Sequence, residues 1–353
     1  MRSVPGTASG TDRSAAGGNR MTLSGQADGT TRDVSMDVAK GVGIILVVIG
    51  HAWRGLNTAG LIGDDRLYQL IDRVIYNFHM PLFFILSGMT FQSWALRRPV
   101  GEAATSRITR LLWPLILWTY LFAAARLAAG DAANTQLDGW QNLAFWPLPP
   151  RDHFWFLWAL FLQHLAVLAL IRFVTGPLSA PAWALLAGVV LVASSFIPFG
   201  LHEWTHGAFT YASAFLAGLA LGGMRWRPNG VLAFAVAAVL FVGLQVLSFH
   251  VPHILVTRQL LGIALSLLAL AMIHILTSGG TSSVIRLLTW LGLSSMGIYL
   301  SHTIFSAGAR AVLGRFTQDL SLHMIAGTLI GIIGPLILYA IIRRVGRPSW
   351  IGF

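Results

Sequence analysis

Apolar runs follow one another along almost the whole chain, starting near Asp37, Val74, Arg107, Phe154, Pro181, Ala208, Val231, Val256, Trp290 and His323. Each approaches the roughly 20 residues that a helix needs to cross a hydrocarbon core. The pattern predicts an all-α polytopic membrane protein of about ten transmembrane helices. Composition excludes the soluble alternative: of 353 residues 55% are hydrophobic and only 10% charged, whereas soluble domains carry about 25% charged residues.

Residues 1–35 differ in kind, being rich in Gly, Ser, Thr and Ala with scattered arginines and no apolar run. They predict a disordered cytoplasmic tail, followed by a transmembrane domain over 36–346 and a short cytoplasmic tail over 347–353. A secretory signal peptide requires an apolar core directly after a charged start, which this segment lacks, so the first span is expected to direct insertion. Loops such as 97–106 and 130–152 are too short to fold alone, and no internal repeat of the transporter kind is evident.

Orientation follows from the cations. With the N-terminus inside, 16 of the 24 Lys and Arg residues fall on the cytoplasmic face, a two-to-one excess that favours N-in and C-in and an even number of spans. A net charge of +11 would suggest nucleic acid in a soluble chain. Here the cations edge apolar spans, so topology and anionic lipid headgroups account for most of them and no nucleic-acid partner is expected. There is no cysteine, which excludes disulfides and thiolate catalysis.

Five segments carry polar chemistry inside or beside apolar runs. The first is MDVAKGVGIILVVIGH, residues 36–51. Eleven steps of about 100° return to within roughly 20° of the starting face, so Lys40, Ile44, Val47 and His51 share one stripe about 16 Å long. Asp37, one turn before Lys40, can neutralise it, while Gly41, Gly43 and Gly50 allow close approach of a neighbouring helix or ligand. An ionisable group inside a span costs about 2.5–3.5 kcal/mol when charged and is a functional candidate by default.

The second segment is basic. Arg97 and Arg98 end one span, and Arg107 and Arg110 open the next, three residues apart on one helix face. Guanidinium forks match phosphate oxygens bidentately, so four arginines around one short loop suit the phosphates of a nucleotide-like cofactor, although span-flanking arginines also serve simply as topology markers. The third, NFHMPLFFILSG, places His79 and Pro81 at the start of an aromatic span with Ser87 and Gly88 inside it. The fourth, RDHFWFLWALF, sets His153, Trp155 and Trp158 where a loop enters a span, and the fifth, SSMGIYLSHT, puts Tyr299 and His302 on one helix face. Tryptophans in such places also form ordinary interfacial belts.

With these residues in view, the chain resembles the acyltransferase family 3 membrane proteins, and within them the branch that includes fucose O-acetylases. The resemblance rests on the Lys40-x10-His51 pair, the Arg107-x-x-Arg110 pair, the FHMPLFFILSG run and the late GIYLSHT run, in that order along the membrane domain. It implies acetyl-CoA as donor, a carbohydrate hydroxyl as acceptor, His51 as the essential residue and the arginine pair as the donor-binding element. Lys40 stands where many members have arginine, which keeps the charge without the bidentate fork. No soluble esterase domain is seen after the spans, so the chain is expected to complete the transfer alone or with a partner.

The resemblance thus leads to an inner-membrane O-acetyltransferase acting on an extracytoplasmic polysaccharide, lipopolysaccharide or glycolipid precursor, in contact with membrane lipids and with other polysaccharide-assembly proteins. His51, with Lys40 and Asp37, forms the catalytic set, as a general base or as an acyl carrier. Arg97, Arg98, Arg107 and Arg110 hold the donor. His79, Ser87, His153, Trp155, Tyr299 and His302 are the candidates for orienting the sugar, and no metal is expected. The alternative is a transporter or flippase, in which intramembrane His and Arg would move protons or anions.

Overall fold

The computed structural model describes residues 33–130, 133–134, 139, 148, 150, 152–174, 176–196, 202–224, 226–252 and 254–353. The tail expected over 1–35 lies outside these apart from its last three residues, and Val34 already begins the first helix. Most of the loop at 130–152 also lies outside them. Residues Val34–Phe353 form one compact unit.

Among the described residues fourteen α-helices follow in order: α1 (Val34–Thr58), α2 (Asp65–Tyr76), α3 (His79–Leu96), α4 (Val100–Arg107), α5 (Trp113–Ala129), α6 (Trp155–Phe173), α7 (Ala180–Ala193), α8 (His202–Thr210), α9 (Ala212–Gly222), α10 (Val231–Ser248), α11 (Leu255–Ser278), α12 (Ser283–Leu293), α13 (Ser295–Leu313) and α14 (Leu320–Val345). The described residues contain no strand. Seven helical segments are long and apolar enough to cross a membrane, and α12 with α13, bent by 80°, brings the number to eight. Two shorter apolar helices, α7 and α9, complete a set compatible with the ten expected spans.

Three segments depart from simple spans for local reasons. The segment Asp65–Leu96 runs longer than a bilayer requires and is interrupted at Asn77–Phe78, where the Asn77 amide donates to Gln245 at 2.9 Å and Ser248 at 3.0 Å. A single π turn, Ile108–Leu112, joins α4 to α5 and carries Arg110. Such turns insert a residue into the helical repeat and frequently mark functional sites. The expected tail at 347–353 forms a 3₁₀ turn at Pro348–Ile351, held by the Trp113 and Trp118 indole N–H groups, which donate to the Trp350 and Ile351 carbonyls at 2.7 and 2.8 Å.

The helix α1 is the axis of the bundle, packed against α3, α11, α12, α13 and α14. Its contact with α12 is backbone to backbone: a Cβ at Gly41 would strike the Leu288 carbonyl, and one at Gly292 would strike the Asp37 carbonyl. Glycines at both sides of this crossing allow the axes to close up, the usual device for helix association where water supplies no hydrophobic drive. The same device joins α3 to α9, where Gly88 faces the Phe215 backbone and Gly218 faces that of Ile85. The main core therefore gathers around α1, α3, α6 and α9, with Phe84, Leu115, Leu157 and Phe215 fully buried in it.

Candidate active site

The stripe on α1 runs through two cavities. Lys40, Ile44 and Val47 line one of about 520 Å³, and Val47 and His51 line a second of about 390 Å³. The cavities share Val47, Met80 and Tyr299, so these three side chains form the waist between them.

The larger cavity is basic at one side. Lys40, Arg97, Arg107 and Arg110 line it, and Asp37 approaches the Lys40 ammonium at 3.5 Å. Among the described residues, none of the three arginines is in an ion pair with a carboxylate. The Arg107 guanidinium lies 3.8 Å from the Trp94 ring centroid, and its Nε is shut off from solvent with no hydrogen-bond partner. Guanidinium groups without acidic partners, that of Arg107 partly desolvated, are chemically suited to an anion of several oxygens. Arg172 at the end of α6 donates to the Ala95 and Arg98 carbonyls at 2.8 and 2.5 Å, capping α3 where Arg97 leaves it.

The rest of this cavity is a mainly apolar slot between Phe83, Leu86, Phe91 and Met296, with the hydroxyls of Thr90, Ser93 and Ser295 and a bonded pair, Ser87 and His164, in its wall. The Ser87 hydroxyl is 2.9 Å from His164 Nε2, and the imidazole is stacked on Phe91 with centroids 4.2 Å apart.

The smaller cavity is built on histidines and aromatic rings. His51, His153 and His302 form a triangle with ring centroids 5.0, 5.2 and 5.5 Å apart. His302 is fully buried, and its Nδ1 bonds to the Ile298 and Tyr299 carbonyls at 3.0 and 2.8 Å. That fixes the tautomer with a proton on Nδ1 and leaves Nε2, which has no partner, as an acceptor. His51 makes no side-chain hydrogen bond among the described residues and faces the cavity. His153 is held from two sides: Asp152 beside it pairs with Arg126 of α5 at 2.6 Å, and the Tyr299 hydroxyl donates to the His153 carbonyl. Burial, followed by the neighbouring His302 imidazole, holds His153 well below the usual histidine pKa, so it is neutral in this setting.

Opposite the histidines stand Trp155, Trp158, Trp204 and Tyr211. Trp155 stacks near Tyr211 with centroids 5.4 Å apart, and the Trp158 indole donates to the Trp204 carbonyl at 2.7 Å. Arg54 closes the cavity one turn beyond His51. It pairs with Asp72 of α2 through bonds of 2.6 and 2.9 Å and lies 3.3 Å from the Tyr76 ring centroid.

The residues singled out from sequence therefore divide. Lys40, Arg97, Arg107, Arg110 and Ser87 line the basic cavity; His51, His153 and Trp155 line the histidine cavity; Tyr299 lines both. His79 and His302 stand behind the wall. His79 is edge-on to Tyr76 at 4.6 Å with its Nδ1 on the Ile75 carbonyl. Arg98 is turned to the Trp94 carbonyl and Glu102, and Asp37 to Lys40. Sequence reasoning passed over Arg54, Tyr76, Trp94, His164, Trp204, Tyr211 and Arg258, all in cavity walls. His164 was findable, being an ionisable group within an apolar run like His51. Among the described residues no group of three or more His, Asp or Glu side chains is placed to hold a metal ion.

Comparison with known proteins matches this site to a lineage. The chain aligns with nodulation protein NolL of Mesorhizobium japonicum at 30% identity over 201 residues, 57% of this chain and 51% of that protein. It aligns with nodulation protein NolL of Sinorhizobium fredii at 32% over 175 residues, 47% of this chain and 43% of that protein. The chain thus spans about half the length of the curated relatives it matches. No solved structure matches it. The profile of the acyltransferase domain of family 3 covers residues 33–340, from the first turn of α1 to near the end of α14, and with it both cavities and their waist. The chain belongs to acyltransferase family 3.

Proposed function

We propose that this membrane acyltransferase is an O-acetyltransferase that carries an acetyl group from cytoplasmic acetyl-CoA to a hydroxyl of a carbohydrate or glycolipid on the opposite side of the bacterial inner membrane. The observation that carries the reading is the pair of cavities meeting at Val47, Met80 and Tyr299, basic on one side and lined by histidines and tryptophans on the other. The basic cavity suits the donor. Arg97, Arg107, Arg110 and Lys40 face its phosphates, the Phe83–Met296 slot takes the apolar arm, and the orphaned Arg107 Nε gains an acceptor.

The donor brings a thioester, whose acetyl carbon is the electrophile. His51 stands just beyond the waist on the same stripe as Lys40. Its free imidazole nitrogen takes the proton of an acceptor hydroxyl as that oxygen attacks the carbonyl carbon and the C–S bond breaks. The proton then passes to the departing thiolate. The His302 Nε2 lone pair, 5.0 Å away between ring centroids, lies close enough to steady the transient imidazolium. In the two-step variant, the His51 nitrogen attacks the carbonyl carbon as the C–S bond breaks and the thiolate leaves; the acceptor oxygen then displaces the imidazole from the acetyl group, its proton passing to the freed imidazole nitrogen. Trp155, Trp158 and Tyr211 offer faces on which a sugar ring stacks, with His153 and Arg54 as polar tips. The acceptor is a polysaccharide, lipopolysaccharide or glycolipid precursor, handled alongside other assembly proteins.

The test is acetyl-CoA binding to the protein in lipid nanodiscs, followed by transfer of a radiolabelled acetyl group to a carbohydrate acceptor. Saturable binding with label appearing in an O-ester fits the proposal. Folded protein that binds no acetyl-CoA overturns it.

A further inference from the structure

A third cavity, of about 300 Å³, shares Arg54, Tyr76, Tyr211 and Arg258 with the histidine cavity. Three guanidinium groups line it, those of Arg54, Arg73 and Arg258, against a single carboxylate, Asp72. Arg54 takes up that carboxylate with both of its bonds, at 2.6 and 2.9 Å. Arg73 spends one N–H on the Ser248 carbonyl at 3.3 Å. Arg258, in the first turn of α11, makes no side-chain hydrogen bond or ion pair among the described residues. Two hydroxyls of the same wall, Thr210 and Tyr76, are cut off from solvent without a partner, and Thr210 is only 6% exposed.

Buried hydroxyls are almost always satisfied, and a cleft lined by cations in excess of its carboxylates draws anions into it. A wall with two guanidinium charges in excess and two unspent hydroxyl donors matches an anion with several oxygens. We propose that this cavity binds an anionic group carried by the acceptor, a phosphate or a carboxylate, while the attached sugar lies in the histidine cavity. The acceptor is then an acidic or phosphorylated saccharide. The identity of the acceptor rests on reading the histidine cavity as the acceptor side; the anion site itself does not.

The test compares glucose 1-phosphate, glucuronate and glucose as probes for binding to the full chain in nanodiscs at low salt, in wild type and in Arg73→Gln/Arg258→Gln. The expected result is a preference of at least about tenfold for one or both anionic probes over glucose, reduced to within about threefold in the variant. Acetyl-CoA binding by the variant serves as the check that it is folded. A preference confined to glucose 1-phosphate assigns the anion to phosphate, and an equal preference for glucuronate extends it to acidic sugars. Equal binding of all three by wild type, or a preference that survives in the folded variant, overturns the proposal. With acetyl-CoA bound normally, that failure leaves the transferase reading standing. Absence of acetyl-CoA binding by wild type that keeps the anion preference would overturn the transferase reading and keep the anion site, the variant's fold then being checked by its thermal melt.

Discussion

The two cavities along α1 are made of opposite materials. One sets permanent cations beside an apolar slot, three of them close in sequence at the junction of α3, α4 and α5 and the fourth, Lys40, on α1. The other is walled chiefly by imidazoles, indoles and phenols drawn from α1, α2, α6, α8, α13 and the segments before α6 and α9, with Arg54 and Arg258 at its edge. On the proposed reading the contrast is a division of labour: permanent charge is set to hold an anionic ligand, while imidazoles kept neutral, with a lone pair free to accept a proton, are set where a proton must move. The division makes distinct predictions for variants on either side of the waist.

The largest expected effect separates chemistry from binding. His51→Ala should lower acetyl transfer by about 10²- to 10⁴-fold, the range for removing a general base, with acetyl-CoA affinity kept near wild type. Steady-state transfer and equilibrium binding on the same nanodisc preparation check this. A loss of donor affinity as large as the loss of rate would erase the distinction between the cavities.

Next comes the opposite pattern. Arg107→Ala/Arg110→Ala removes two charge-assisted contacts of about 1.5–3 kcal/mol each, so donor affinity should weaken by about 10²-fold or more. Transfer at saturating donor should recover most of the wild-type rate. A KM unchanged by the double substitution, measured across donor concentration, would remove the arginines from donor recognition.

The two cavities also differ in how far sequence reasoning reached them. The Lys40–His51 stripe is a local pattern fixed by helical periodicity, and α1 carries it as expected. Arg107 and Arg110 line one cavity, but across a π turn at Ile108–Leu112 that their spacing alone does not report. The helical class follows equally directly from the length of the apolar runs. The histidine cavity is different because its wall is assembled by contacts across the chain. Trp204 enters through its carbonyl bond to Trp158, and Arg258 reaches the cavity from the first turn of α11. Nothing in the local sequence around either residue reports those neighbours. His302 stood out in the sequence as a polar group on a helix face, yet its place beside His51 of α1 and His153 of the loop before α6 is a contact across the chain. Ser87 reads as a hydroxyl inside a span, but only its bond to His164 of α6 assigns it to the basic cavity.

A smaller effect is expected at the waist itself. Tyr299 belongs to both cavities, and its hydroxyl holds the His153 carbonyl. Tyr299→Phe keeps the ring and removes one hydrogen bond worth about 0.5–1.5 kcal/mol. The transfer rate should fall only a few-fold, with donor affinity and His51-dependent chemistry both retained. A loss as deep as that of His51→Ala would promote Tyr299 from positioning the loop to taking part in the reaction.

The smallest effect concerns stability and belongs to the histidine side alone. His153 is kept neutral by burial and by the nearby His302 ring, so its pKa in the folded protein lies well below the ordinary value, whereas in the unfolded chain it titrates near about 6.5. Below that pH the unfolded state binds a proton that the folded state refuses. The stability contributed by neutral His153 is thus fully present above about pH 6.5 and declines as the pH falls through that value. Thermal unfolding in detergent at about pH 7.5 and about pH 5.5 should show a downward shift in Tm for wild type on acidification, and a smaller one for His153→Gln. Arg107→Ala/Arg110→Ala should shift as wild type does, because arginine keeps its proton across the whole interval. Equal shifts in wild type and His153→Gln would place the acid sensitivity outside the histidine triangle. A reduced shift in the arginine variant would mean that the charges of the basic cavity act on the histidine triangle and that the two cavities are one electrostatic unit.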